Sequence, residues 1–307
     1  MRIALVGLGI QGHKRRAIAG KDVVVTVDVE DGMADYKTIE QVPSYLYDAA
    51  LVCTPDSVKV GVLRHLLSLG KHVLVEKPLL IGDSGEGGEL AELARSNNCV
   101  CYTAYNHRFE PHIAALKELL DESVLGDIYM GQFFYGNGTA RNTRESPWRD
   151  QGAGVLVDLG SHLLDMALFL FGEMKNPFEL WGLNNFENNA SDHVLFGYRG
   201  EPFLQFEATL LSWRNTFRID LYGELGSAHI EGLCKWGPSS LVVRKRIFPS
   251  GKPDEERRII EKLDPTWEME YRHFLSLCTR ATSNMDNDFW INETLGNLAR
   301  QGGVQFA

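Results

Sequence analysis

No apolar run in the 307-residue chain is long enough to cross a bilayer, so a helical membrane protein is not the expected class. The chain has no basic tract either. Lys and Arg number 31 against 41 Asp and Glu, a formal net charge of −10. Nucleic acid and anionic membranes are therefore not expected as partners. The five cysteines, Cys53, Cys99, Cys101, Cys234 and Cys278, are odd in number and contain no C-x-x-C pair. That argues against a disulfide framework or a metal site, and for reduced thiols in a cytoplasmic protein. Cys99 and Cys101 lie two apart in a strand-like run, so both are expected on one core-facing side. A strand pattern begins at Arg2, and no cleavable leader is expected. Internal repeats and low-complexity linkers are also missing, and the length suits two packed domains.

Glycine, by contrast, is concentrated where it carries meaning. Gly7-Leu8-Gly9-Ile10-Gln11-Gly12 follows the apolar run Ile3–Val6 and precedes a helical pattern from Gln11 to Ala19. Asp28 ends the next apolar run, Val23–Val27. Strand, G-x-G-x-x-G, helix, strand and acid in this order form the dinucleotide-binding pattern. Gly7 permits the tight turn, Gly9 lets a pyrophosphate approach the backbone, and Gly12 lets the helix pack close to the strand. The free N–H groups at the helix start favour phosphate charge. Asp28 can accept both ribose hydroxyls and repels a 2′-phosphate, so NAD is expected rather than NADP.

Residues 1–122 alternate apolar runs with helical stripes, an α/β doubly wound pattern with a parallel sheet. Only about 20 residues separate Asp28 from the run at Ala50, too few for a full helix and strand. The sheet is therefore expected to be shortened after its second strand, on the adenosine side. Residues 123–307 read as an α+β domain. Val155–Phe171 is a long helical pattern, and Phe203–Leu210, Phe217–Leu221, Ala228–Ile230 and Leu241–Ile247 alternate as antiparallel strands with one buried face. Trp267–Leu277 and Phe289–Leu298 read as closing helices.

Two constellations can carry chemistry. Glu76-Lys77-Pro78 ends the fourth strand, and ligands of open parallel sheets bind at the carboxyl ends of strands. There Lys77 can donate to a substrate oxygen. On a helix, Asp158, His162 and Asp165 fall at i, i+4 and i+7 and form one polar face. His162 can take a hydroxyl proton as hydride leaves the same carbon, with a carboxylate one turn away to orient the ring or hold a neighbouring hydroxyl. Arg141, Arg144, Trp148 and Arg149 precede this helix. They are either a carboxylate or diphosphate grip with a stacking surface, or a solvated loop. Tyr105, Asn106 and Arg108 end the fifth strand, where Asn106 and Arg108 can touch cofactor or substrate or brace the loop. Trp213 and Arg214 are weaker candidates at a strand turn.

Together these motifs resemble the Gfo/Idh/MocA family of sugar, nucleotide-sugar and inositol dehydrogenases. The resemblance is carried by Gly7–Gly12, Thr54-Pro55-Asp56, Gly70-Lys71-His72-Val73 through Glu76-Lys77-Pro78, Tyr105-Asn106-His107-Arg108-Phe109, Asp158 through Asp165, and Gly223-Glu224-Leu225-Gly226-Ser227. It implies a Rossmann domain followed by an open-faced sheet used for homodimer or homotetramer contacts. It implies Lys77 and His162 as the catalytic pair, with Asp158 assisting. The cofactor would be met by Gly7, Leu8, Gly9, Ile10, Gln11, Gly12, Asp28, Thr54, Pro55, Glu76, Lys77 and Asn106. The substrate, a sugar-like small molecule, would be met by Lys77, Tyr105, Arg108, Trp148, Arg149, Asp158 and His162. A cis Lys77–Pro78 peptide is implied too. Two departures are the short segment after the second strand and Lys59, where the family commonly has His. Relatives of other classes are NAD-recycling glycoside hydrolases and dinucleotide-binding regulators; a regulator needs neither Lys77 nor His162.

Overall fold

The computed structural model describes residues 1–81, 85–146, 149–261 and 263–306. Its packing divides the chain into two compact units, Met1–Asn106 with Thr266–Asn292, and His107–Pro265 with Glu293–Ala307.

In the first unit, β1 (Ile3–Val6), α1 (Ile10–Ala19), β2 (Val23–Val27), β3 (Ala49–Val52), α2 (Asp56–Ser68), β4 (His72–Glu76), α3 (Gly85–Ser96) and β5 (Cys101–Ala104) alternate. The strands form one parallel sheet in the order β2-β1-β3-β4-β5. Strand periodicity sends Val6, Val52, Val75 and Cys101 into a core with Leu63, Leu66, Leu67 and Leu90. Leu5, Leu51, Leu74 and Tyr102 enter a second core on the opposite face, with Tyr271, Phe274 and Leu277. Burying both faces explains the near-continuous apolar runs, each buried aliphatic side chain contributing roughly 1.5–3 kcal/mol. Cys99 and Cys101 share one core, as their spacing predicts, and burial raises both thiols, Cys99 to about 11.

As the residue count predicts, β2 is an edge of the sheet, with no further strand beside it among the described residues. The chain turns back at once, and Tyr36 N–H donates to Thr26 O at 3.1 Å while Asp28 N–H donates to Tyr36 O at 3.1 Å. Two short 3-10 turns, Ile39–Gln41 and Ser44–Leu46, then lead to β3.

The second unit contains α4 (Pro111–Asp121), β6 (Ile128–Gly136), α5 (Ala140–Arg144), α6 (Ser161–Phe171), β7 (Phe178–Asn184), β8 (His193–Arg199), β9 (Phe203–Thr209), β10 (Thr216–Gly223), β11 (Gly226–Glu231), β12 (Ser239–Lys245) and β13 (Glu255–Ile260). Its eight strands run β13-β12-β11-β10-β6-β9-β8-β7, antiparallel except for β6 with β9. One face is buried. Phe206 stacks on Phe133 at 4.9 Å and on Phe196 at 5.1 Å, and Phe171 of α6 meets Phe133. Two closing helices follow, α7 (Thr266–Cys278) and α8 (Met285–Gln301); the division between the units falls within α8.

The long helical pattern at 155–171 departs from a plain α-helix. Its first turn, Leu156–Gly160, is π-helical, and α6 starts only at Ser161. Gly154, at φ +44°, lies so close to the Ser191 carbonyl that a Cβ would sit 2.3 Å from its oxygen, which pins the entry to the turn. Asp158 therefore rides on a widened turn, and its offset from His162 is not that of α-helical neighbours.

Candidate functional site

The first unit builds a cradle at the carboxyl edge of its sheet. Gly7 has φ +92°, and a Cβ there would lie 2.6 Å from the Cys53 carbonyl oxygen; one at Gly12 would lie 1.9 Å from the Gly7 oxygen. Both must be glycine for β1, β3 and α1 to close. Gly9 differs, because a Cβ there would meet nothing within 4 Å. Gly9 caps α1 with no side-chain bond, so the first N–H groups of Ile10, Gln11 and Gly12 face an open space. Leu8 is buried behind them, and Ile10 is exposed.

Asp28 closes the cradle from β2. Its carboxylate accepts N–H bonds from Leu8 at 2.7 Å, Glu30 at 2.8 Å and Asp31 at 2.9 Å. Burial pulls this carboxyl up, and the three backbone donors outweigh it, holding Asp28 below its ordinary value and charged. After β3, the Thr54 hydroxyl is buried and makes no hydrogen bond among the described residues, while Pro55 is the N-cap of α2. An uncapped helix start, an open glycine and an orphaned hydroxyl fit a bound dinucleotide.

The Glu76-Lys77-Pro78 segment is held from several sides. The Lys77–Pro78 peptide is cis. Buried Lys59 donates through Nζ to Glu76 O at 2.7 Å and Pro78 O at 2.9 Å, and pairs with Asp56 at 2.6 Å. Burial presses the Lys59 pKa down, and Asp56 opposes it. Further along, Asn292 donates to Leu79 O at 2.8 Å and accepts from Ile81 N–H at 3.2 Å. The Glu76 carboxylate, expected at the cofactor, accepts Arg15 Nε at 2.7 Å, and Arg15 also pairs with Glu270 at 2.7 Å. Asn106 donates to Thr266 Oγ1 at 2.8 Å, and Tyr105 is buried.

The second unit gathers the histidine group. His162 is 7% exposed, and its ring lies 4.1 Å from that of His107 and 5.9 Å from Tyr135. Arg108 grips Asp165 with Nη2 at 2.6 Å and Nε at 2.9 Å. Burial raises Asp165, and Arg108 works against that rise. Asp158 pairs with Arg149 at 3.5 Å. Arg141 and Arg144 form surface pairs with Glu145 and Glu187. Trp213 is exposed at φ +58°, and Arg214 is exposed beside it. Trp148 lies outside the described residues.

Sequence reasoning did not single out Lys59 as a clamp, nor Asn292, His107, Tyr135 or Lys235 as parts of these groups. For Lys59 a signal existed, since it stands four residues before Leu63 on the buried face of α2. The others come from segments far apart in the chain.

Two family models match. One, the oxidoreductase family's NAD-binding Rossmann fold, covers residues 4–105, and the GFO/IDH/MocA C-terminal domain covers 113–229. Trans-1,2-dihydrobenzene-1,2-diol dehydrogenase of Sus scrofa is 28% identical over 235 residues, 75% of this chain and 68% of that one. The scyllo-inositol 2-dehydrogenase (NADP(+)) of Bacillus subtilis is 30% identical over 158 residues, 49% of this chain and 43% of that one. The chain spans 34% and 54% of the lengths of two uncharacterized oxidoreductases, from Schizosaccharomyces pombe and Escherichia coli. Levoglucosan dehydrogenase, solved in complex with NADH and levoglucosan, shares the fold at TM-score 0.83 and 18% identity over 99% of this chain and 97% of that one. With both halves matched in order, the chain belongs to the Gfo/Idh/MocA family of oxidoreductases, and its first unit carries that family's NAD(P)-binding Rossmann fold.

Proposed function

We propose that the protein is an NAD-dependent dehydrogenase acting on a secondary alcohol of a sugar, nucleotide sugar or inositol. The observation that carries this reading is the clamped Glu76-Lys77-Pro78 segment at the carboxyl edge of the parallel sheet, in a chain that also keeps His162. Lys77 donates to the substrate oxygen and lowers the cost of negative charge developing there. His162 takes the hydroxyl proton, and in the reverse direction returns it. Asp158, tied to Arg149, and Tyr105 hold neighbouring substrate groups. When bound, a nicotinamide supplies the hydride exchange. Gly7 through Gly12 hold the pyrophosphate, Asp28 the ribose, and Thr54, Pro55 and Asn106 line the path toward the nicotinamide. The charged Asp28 disfavours a 2′-phosphate, although the Bacillus relative is named for NADP.

The test is the NADH absorbance band of the purified protein with NAD or NADP and a panel of free sugars, inositols, sugar acids and UDP-sugars. The expected result is growth of the band with one substrate class, at least about tenfold faster with NAD than with NADP. NAD binding without a band on any substrate overturns the reading; glycoside cleavage would then identify a redox-recycling hydrolase, and no turnover a regulator.

The outer face of the eight-stranded sheet fits contact between copies of this chain. Met130 and Phe203 are exposed there, and Phe203 stacks with Trp181 at 5.9 Å. Light scattering should give a dimer or tetramer that an Asp in place of Phe203 weakens; a wild-type monomer removes the idea. The five free thiols fit a cytoplasmic location.

A further inference from the structure

Three segments distant in sequence converge on His162 inside the second unit. His107 comes from the turn after β5, Tyr135 from β6, and Lys235 from the 3-10 turn Cys234–Trp236 between β11 and β12. Lys235 Nζ lies 3.0 Å from His107 Nε2 and 3.2 Å from Tyr135 Oη, over the Trp236 ring at 4.7 Å. The His107 ring in turn lies 4.1 Å from the His162 ring, tilted by 49°.

The chemistry of the donors decides the protons. An ammonium group only donates, so at His107 Nε2 it requires a lone pair. The ring proton of His107 then sits on Nδ1, and the ring is neutral. Protonating His107 would consume the lone pair that Lys235 uses and set two cations against each other. Tyr135 does not compete. Burial, with Asp158 adding to it, raises its phenol, so the oxygen stays protonated and accepts from Lys235. Two imidazoles so close cannot both become cations cheaply, so only one of them takes up a second proton.

We propose that Lys235, acting through His107, assigns the proton-accepting role to His162. Lys235 and His107 are positioning residues, and His162 remains the group that meets the substrate. What the proton serves rests on the dehydrogenase reading; the assignment of the proton between the two rings does not.

Other charges face this group. Asp158 lies on the π-helical turn, and the Arg108–Asp165 pair joins the neighbour of His107 to α6. Lys235 acts on Glu110, and Asp264 acts on both Glu110 and Cys234 next to it. Burial raises Glu110, whose Oε2 accepts the Cys234 thiol at 2.8 Å.

The test is nitrogen-15 NMR of the imidazole rings in the full-length protein between pH 5.5 and 9, with His107 assigned by its loss in His107→Asn. The expected spectrum shows His107 neutral and protonated on Nδ1 throughout, while His162 titrates. In Lys235→Met, His107 should begin to take up a proton or change tautomer, and Lys235→Arg, which keeps a donor, should restore the wild-type pattern. Once a substrate is found, the acid limb of kcat/KM in Lys235→Met should move up by about one pH unit, as expected for deleting one nearby charge. A wild-type His107 protonated on Nε2 overturns the proposal without needing any variant to fold. Unchanged rings in a folded Lys235→Met overturn it as well. If the ring pattern holds but no substrate turns over, the dehydrogenase reading fails and the proton assignment stands.

Discussion

Lys77→Ala should lower kcat by about 10²–10³-fold and leave NAD affinity and thermal stability close to wild type. Losing one preorganised donor to a developing oxyanion costs about 2.7–4 kcal/mol at the transition state, which is that range of rate. The substitution isolates the ammonium because the surrounding backbone has its own supports. Lys59 holds the carbonyls of Glu76 and Pro78, and Asn292 holds Leu79 and Ile81. Stopped-flow turnover and NAD titration on the same preparation separate the two effects. A variant that binds NAD and turns over at the full rate would falsify the role of Lys77. A parallel fall in melting temperature would instead assign the loss to the segment's shape.

Arg15→Met should destabilise the first unit by about 3–5 kcal/mol, because it strands two carboxylates in the interior. Arg15 of α1 is 1% exposed and bonds Glu76 at the end of β4 and Glu270 of α7, with its guanidinium 4.3 Å from the Trp267 ring. Burial works against its charge, and Glu270 and Glu76 together outweigh burial, so its pKa rises. Met can keep the packing against Trp267 but supplies no charge. Urea unfolding followed by circular dichroism measures the loss. Combining Arg15→Met with Glu270→Leu and Glu76→Gln should recover most of it, since an apolar replacement of a whole buried ion group is often neutral. A neutral single variant would mean that water reaches the carboxylates.

Much of the first unit was legible because its signals are local. The run Ile3–Val6, the three glycines and Asp28 lie within one strand–helix–strand stretch, and the shortened sheet followed from counting residues between Asp28 and Ala50. Other strands were less legible. β13 reads Glu-Glu-Arg-Arg-Ile-Ile and is exposed on both faces at the sheet edge, so no alternation marks it. β7 and β8 pair across a bulge near Trp181 that breaks their period. At the candidate site, Lys77 and His162 stand inside contiguous motifs. The Lys235–His107 contact joins positions 128 residues apart, and the π-helical turn at Asp158 leaves no mark in a period of apolar residues. Periodicity finds faces of elements; it does not find which elements meet.

The turn after β2 also bears on how this chain avoids its own copies while it folds. Removing a flanking strand leaves β2 as a free edge, and a bare edge is a template for pairing with another chain. Here the edge is already occupied. Asp35 accepts both the N–H and the hydroxyl of Thr26 at 2.8 Å, and Tyr36 takes the Thr26 carbonyl. The nearby surface carries Glu30, Asp31 and Asp35, all acidic. A sheet cut back to five strands thus ends in an edge whose Thr26 groups are already taken by Asp35 and Tyr36, leaving less bare backbone for a second chain to pair with.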